Sequence, residues 1–439
     1  MIQNNFKIEK MKKIISIYTI LMLCYSTVIA QQTPAPEQKE TFSIVGATAH
    51  IGDGTVIENS TIVVENGKIV STSTNGTPIG KVIDAKGKHV YPGFITANSS
   101  LGLIEVNAVR ASNDADEIGG MIPHIRSLIA YNAESKVVES MRPNGVLVAQ
   151  VAPKGGRISG TSSIVQFDAW NWEDAAIKAD DGIHINWPNP FTGGRWWLGE
   201  DPALKSSTNY DKQIEELNTF IKESKAYLKG NKSPKHIPFE AMKGLYNSSQ
   251  KLYIHVDNEK GITDAVAFAN SNSISNLVIV GGYEAYKVTD VLKENNVAVL
   301  IDHTHRLPGS TDDDYDLPYK SPKLLVDAGI LVGLHTGSVS NFQTRNLPFY
   351  AGTAAREGLN KEEALKLITS NTAKILGIDK QLGTLEAGKD ATLFISEGDA
   401  LDMRTNQLTH VFINGRNVSL ETHQTKLWKR YSNKYKNQN

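Results

Sequence analysis

The stretch YPGFITANSS, residues 91–100, is where one folding rhythm gives way to another. Before it, from Phe42 to Val90, the chain alternates in short runs: FSIVGATAHI (42–51), STIVVENGKIV (60–70) and KVIDAKGKHVY (81–91). Gly52-Asp53-Gly54 and Asn66-Gly67 punctuate them, and Asn-Gly between apolar runs predicts a hairpin. This is a small antiparallel β unit. After the stretch, apolar runs stand at 145–152, 162–167, 251–256, 276–280, 296–301 and 329–335, with helical patterns between most of them. Continuous apolar strands alternating with helices predict a parallel sheet covered on both faces. With the strand inside 91–100 they number seven. The nearest closed arrangement has eight, so one strand stays unassigned.

The β pattern returns at 383–396 and 408–418, where Asn414-Gly415 is another hairpin signal. The expected fold is therefore α/β: a TIM-like (β/α)8 barrel over 91–382, with a small β-sandwich built from both ends of the chain, 42–90 and 383–420. Residues 31–41 (QQTPAPEQKET) read as a linker. Residues 170–235 read as an insertion in the barrel. It holds Trp170, Trp172, Trp187, Trp196 and Trp197, which could line a binding cleft or simply pack the insertion down. Residues 421–439 form a Lys-rich tail, read as a solvated helix.

Lys12 and Lys13 precede the apolar run 14–30, which ends in Val28-Ile29-Ala30. That order is a secretory signal, with cleavage expected after Ala30 and a periplasmic or secreted product. The true start is Met1 or Met11. Cys24, the single cysteine, falls inside the leader, so the mature chain has neither disulfides nor a thiolate nucleophile. No other run is long enough to span a bilayer, so no membrane span is expected after cleavage. Formal charge is −1 for the chain, which argues against nucleic acid as a partner.

The entry VIENSTIVVENGKIV…VIDAKGKHVYPGF and the exit EEALKLITSNTAKILGIDKQLGTLEAGKDATLFI resemble the metal-dependent amidohydrolase superfamily, especially its imidazolonepropionase-like branch. Thr392 stands where that exit usually has Asp. The resemblance covers roughly 42–418. It implies one or two divalent metals at the C-terminal ends of the barrel strands, activating a water against a C–N carbonyl.

The ligand positions that the resemblance implies are altered. The His-x-His pair after the Pro-Gly strand is Asn98 and Ser100, which a period of two would turn to one face. Thr96 replaces the preceding Asp. Gln166 aligns with a lysine that many relatives carboxylate. Gly281 aligns with a histidine, and Gly337, in LHTGS, with the aspartate that serves as base. Neutral amide and hydroxyl oxygens are weak ligands for zinc. The standard metal site is therefore expected to be lost, with no cofactor.

Other polar groups follow the strand runs. His255 and Asp257 come after KLYI, Asp302, His303 and His305 after NVAVLI, and His335 at the end of GILVGLH. Strand ends of a barrel converge, so His255, Asp257, His303, His305 and His335 could form a relocated site for one zinc or other divalent metal, or one of these histidines with Asp257 or Asp302 could do acid–base work without one. The bland alternative is that they hydrogen-bond within loops. KGGRISGTSS (154–163) lacks the Gly-Lys-Ser/Thr of a phosphate loop, and STDDDYD (310–316) lacks the glycine and distal Glu of a calcium loop. No Gly-x-Ser-x-Gly elbow occurs.

Two functions follow. One is an altered, non-catalytic relative that binds a small polar or peptide-like molecule, or pairs with a metal-competent homologue. The other is an active C–N hydrolase using the histidines. A homodimer is the base-rate assembly.

Overall fold

The computed structural model describes residues 33–201 and 203–436. The stretch 1–30, expected to be a leader, lies outside the described residues, and Ala35 onward forms one compact unit. Its first layer is an eight-stranded sheet. It contains β1 (Phe42–His50), β2 (Val56–Glu65), β3 (Lys68–Thr74), β4 (Lys81–Asp84) and β5 (His89–Pro92). Three strands from the far end complete it; numbered in chain order they are β16 (Leu393–Ser396), β17 (Leu408–Ile413) and β18 (Arg416–Val418). Antiparallel pairing of β5 with β16, from Pro92 opposite Leu393 to His89 opposite Ser396, joins the two ends of the chain. Alternation puts Ile44, Ile62, Val64, Ile69, Leu393, Ile395 and Phe412 into one apolar core of this sandwich.

Gly93 is all that separates β5 from the first barrel strand, β6 (Phe94–Ser99). Tyr91 and Phe94 pack with Phe394 at ring distances of 5.5 and 4.9 Å, so the sandwich is continuous with the barrel floor.

The barrel continues through β7 (Val146–Val151), β8 (Ile158–Gln166), β9 (Ala176–Asn186), β12 (Lys251–Val256), β13 (Leu277–Gly281), β14 (Ala298–Ile301) and β15 (Val332–Leu334). A short ribbon, β10 (Phe191–Thr192) with β11 (Lys205–Ser206), lies between β9 and β12 in sequence. A parallel bridge between Ala97 and His335 closes the eight-stranded barrel.

Two expectations are corrected. The unassigned strand is β9, inside the stretch read as an insertion. Its first half, AIKADD, is polar and hides the strand, and only 187–250 separate it from the next barrel strand. The sheet is also not wholly parallel. β8 runs antiparallel to both β7 and β9, because the short turn at 152–157 leaves no room for a crossover helix. No helix among the described residues is long and apolar enough to cross a membrane.

Candidate functional site at the barrel mouth

Strand register builds the site. Val256, Gly281, Ile301 and Leu334 lie at one level across β12–β15, so the residues that follow them rim the mouth. A cavity of about 360 Å³ opens there, within the range of small-ligand sites. Its walls include Asn98, Trp187, His255, Asp257, Asp302 and His335.

His335 is buried and its Nδ1 accepts the Gly337 N–H at 3.1 Å. That bond leaves the proton of the neutral ring on Nε2, a buried atom without a hydrogen-bond partner. Burial lowers the pKa of His335, against the raising influence of Asp302 and Asp257. His255 Nε2 lies 2.8 Å from Nδ1 of His184 on β9, whose ring stacks on Tyr253 at 4.6 Å. Burial, with His335 and Lys154 nearby, lowers His255 to about 3. Burial and the neighbouring His255 hold His184 well below the ordinary imidazole range. Both rings are therefore neutral at physiological pH.

Asp302 is already saturated. Its carboxylate accepts from the His303 backbone N–H and Nδ1, both at 2.9 Å, from Arg306 at 2.9 Å, and from the Ser338 hydroxyl. Burial would raise this group, but His303, His335 and Ser338 together hold it well below the usual carboxylate range. Asp257 is exposed at the rim, where Oδ1 accepts the Tyr283 N–H at 3.3 Å.

The expected residues scatter. His255, Asp257, Asp302 and His335 meet at the cavity, but His303 and His305 do not line it. β14 ends at Ile301, so the His-x-His spacing falls on a turn where a period of two no longer applies. His305 instead bonds Thr353 at 2.6 Å, and both rings pack on Tyr350. Among the described residues no group of three or more His, Cys, Asp or Glu could hold a metal, so the relocated five-residue site is not assembled.

Asn98 and Ser100 do not share a face. A register break in β6 accompanies Asn98 at φ +48°, which lines the cavity, while Ser100 bonds Asn341 at 2.7 Å. Gln166 is displaced further. Because β8 runs antiparallel, its C-terminal end lies opposite Val148, at the far end of the barrel. Of the tryptophans, Trp187 is buried on the cavity wall, held by Tyr210 at 3.0 Å. Trp172 packs against the core, and Trp170 and Trp197 are exposed. Trp196 begins a short 3-10 turn, Trp196–Leu198.

Sequence reasoning missed His184 and Lys154. His184 sits in GIHIN at the end of β9, and that apolar alternation was the available signal. Lys154 donates to the Gly337 carbonyl at 2.9 Å.

Beneath the mouth lies a second polar layer. Asp181 is fully buried and accepts from Ser162 at 2.7 Å, Tyr253 at 2.8 Å and Gln150 at 2.9 Å. Gln150 in turn accepts the Asn98 N–H at 3.0 Å.

The glycines at two altered positions are conformationally committed. Gly281 has φ +96°, and a Cβ there would stand 2.6 Å from Asp257 Oδ1. A Cβ on Gly337 would stand 2.3 Å from Asn98 Nδ2 and 2.5 Å from its backbone oxygen. The residues present do not fit the metals of the resembled superfamily.

The sequence model of the Amidohydrolase family matches residues 320–418. The chain is 22% identical to an imidazolonepropionase of Thermoplasma volcanium over 417 residues, covering 87% of this chain and 97% of that protein. It is 23% identical to the imidazolonepropionase of Picrophilus torridus over 380 residues, covering 79% and 88%. The solved amidohydrolase of Thermotoga maritima shares the fold with a TM-score of 0.75 at 24% identity, over 86% of this chain and 99% of that one. Its closing motif matches the amidohydrolase family, its whole length is similar to imidazolonepropionases, and its barrel-plus-sandwich fold is that of a solved amidohydrolase.

Proposed function

We propose that this chain binds a small polar or peptide-like molecule at the barrel mouth and does not carry out metal-activated hydrolysis. The observation that carries this reading is the pair Gly281 and Gly337. Their backbones sit where a ligand-bearing side chain would collide, at φ +96° in one case and against Asn98 in the other. The cavity nevertheless stays open. It offers a buried unpartnered donor on His335, an acceptor on Asp257 and an indole wall on Trp187. A molecule with both donors and acceptors satisfies those groups. The basic-then-apolar order of residues 1–30 supports a periplasmic or exterior location for this activity.

One observation favours a second reading, a C–N hydrolase acting through the histidines: the His184–His255 pair borders the cavity. A group with a pKa of about 3 is a weak general base at neutral pH, which ranks this reading lower.

Metal analysis of the purified protein after zinc supplementation separates the two. Below about a tenth of an equivalent per chain is expected. Near-stoichiometric zinc that is lost in His184→Ala, His255→Ala and His335→Ala, with dipeptide hydrolysis lost in the same variants, would overturn the binding reading.

A further inference from the structure

The helix His423–Lys436 carries chemistry that the barrel mouth does not use. None of its residues is buried. At 100° per residue, Leu427, Tyr431, Tyr435 and Trp428 fall in one stripe about 100° wide. They are 37%, 52%, 61% and 67% exposed. Lys426, Lys429, Arg430, Lys434 and Lys436 occupy the rest of the circumference, and the helix has no Asp or Glu. Among the described ion pairs of these five cations, Lys429 alone has a carboxylate partner, Glu421 at 2.8 Å. The helix root is fixed, since the His423 N–H donates to Glu139 at 2.6 Å and Leu420 packs on the core.

We propose that this helix docks the molecule, reversibly, on an anionic lipid surface. Tryptophan and tyrosine rings favour the headgroup level of a bilayer, and lysine and arginine around them are drawn to anionic lipid. The stripe has one aliphatic residue, too little for insertion, so binding needs the apolar face and the cations together.

Charge distribution selects the same occupant. The helix carries +5 of a chain whose formal charge is −1, so the remainder carries −6. An anionic surface repels the body and attracts the helix, which orients the docked molecule. A second copy meeting the same face would oppose five cations with five cations. A nucleic acid would use the cations and leave the aromatic stripe in water.

Co-sedimentation with large unilamellar vesicles tests this. The purified protein should pellet with phosphatidylglycerol–phosphatidylcholine vesicles and not with phosphatidylcholine alone, and 0.5 M salt should release it. Each cation removed should weaken partitioning about fivefold. Lys426→Glu with Arg430→Glu, and separately Leu427→Ser with Trp428→Ser, should each abolish pelleting. Because these side chains are exposed, the thermal midpoint should stay unchanged in both double variants, which separates lost docking from lost folding. Absence of pelleting with anionic vesicles overturns the proposal, and so does pelleting that survives both double variants. Retention on duplex DNA without vesicle binding, or a dimer dispersed by Trp428→Ser, overturns it too.

Discussion

At the residue scale, Gly281 and Gly337 decide more than the histidines do. A substituted residue is reversible in principle if the backbone still presents its Cβ correctly. Here Gly281 has a positive φ and a Cβ on Gly337 would collide with the Asn98 backbone. Introducing the residues that the resemblance implies, Gly281→His or Gly337→Asp, should therefore cost stability. About 1–3 kcal/mol is expected for a β-carbon forced into φ +96°, and about the same for one pressed on the Asn98 backbone. Urea unfolding measures this, and neither variant should gain bound zinc. A stable Gly337→Asp variant that takes up zinc would show that the strand end relaxes freely. That these positions lack ligands was legible in the sequence. That they cannot regain them was not, because collision partners such as Asp257 and Asn98 come from other strands.

At the element scale, β7, β8, β9 and β12 are tied by one buried carboxylate. Asp181 accepts three hydrogen bonds from three neighbouring strands and sits in no ion pair with a described residue. Burial raises its pKa, while the donors Ser162, Tyr253 and Gln150 oppose that rise. Asp181→Ala would leave those donors unpaired in the barrel interior. A loss of about 2–4 kcal/mol is expected from denaturant midpoints at pH 7. The sign with pH follows from the raised pKa. The folded state holds this proton more tightly than the unfolded chain, so wild type gains from the group as pH falls toward 3.8. The cost of Asp181→Ala should therefore grow at lower pH. None of this network was visible beforehand, because β9 begins with polar residues and β8 gives no sign of its direction.

At the scale of the whole molecule, His184 and His255 impose the opposite pH dependence. Both pKa values lie below the ordinary 6.5, so the unfolded chain binds protons that the folded one refuses. Their contribution is fully present above pH 6.5 and is lost as pH falls toward the depressed values, about 3 for His255. Each ring contributes a slope of up to about 1.4 kcal/mol per pH unit in that window. Chemical denaturation between pH 7 and 4 should show stability falling steeply, and His255→Phe should flatten the fall. An unchanged slope would mean that the pair is hydrated and titrates freely. The architecture favours the buried reading, since the barrel is closed by the Ala97–His335 bridge and floored by the sandwich through Tyr91 and Phe394.

The sequence by itself determined the architecture. Period-two runs, Asn-Gly turns and alternating strand–helix patterns are local signals, and the two terminal motifs bracket the barrel between halves of one sandwich. The family resemblance also led us to expect ligand-type residues where Asn98, Gly281 and Gly337 stand. The tertiary structure decided which polar residues meet. His255 and His335 share the cavity and His303 and His305 do not, because β14 stops at Ile301. Gln166 lies at the wrong end because β8 is reversed, and His184 enters because β9 is a barrel strand. Strand direction, strand ends and register are set by pairing between segments distant in sequence, so local periodicity does not encode them.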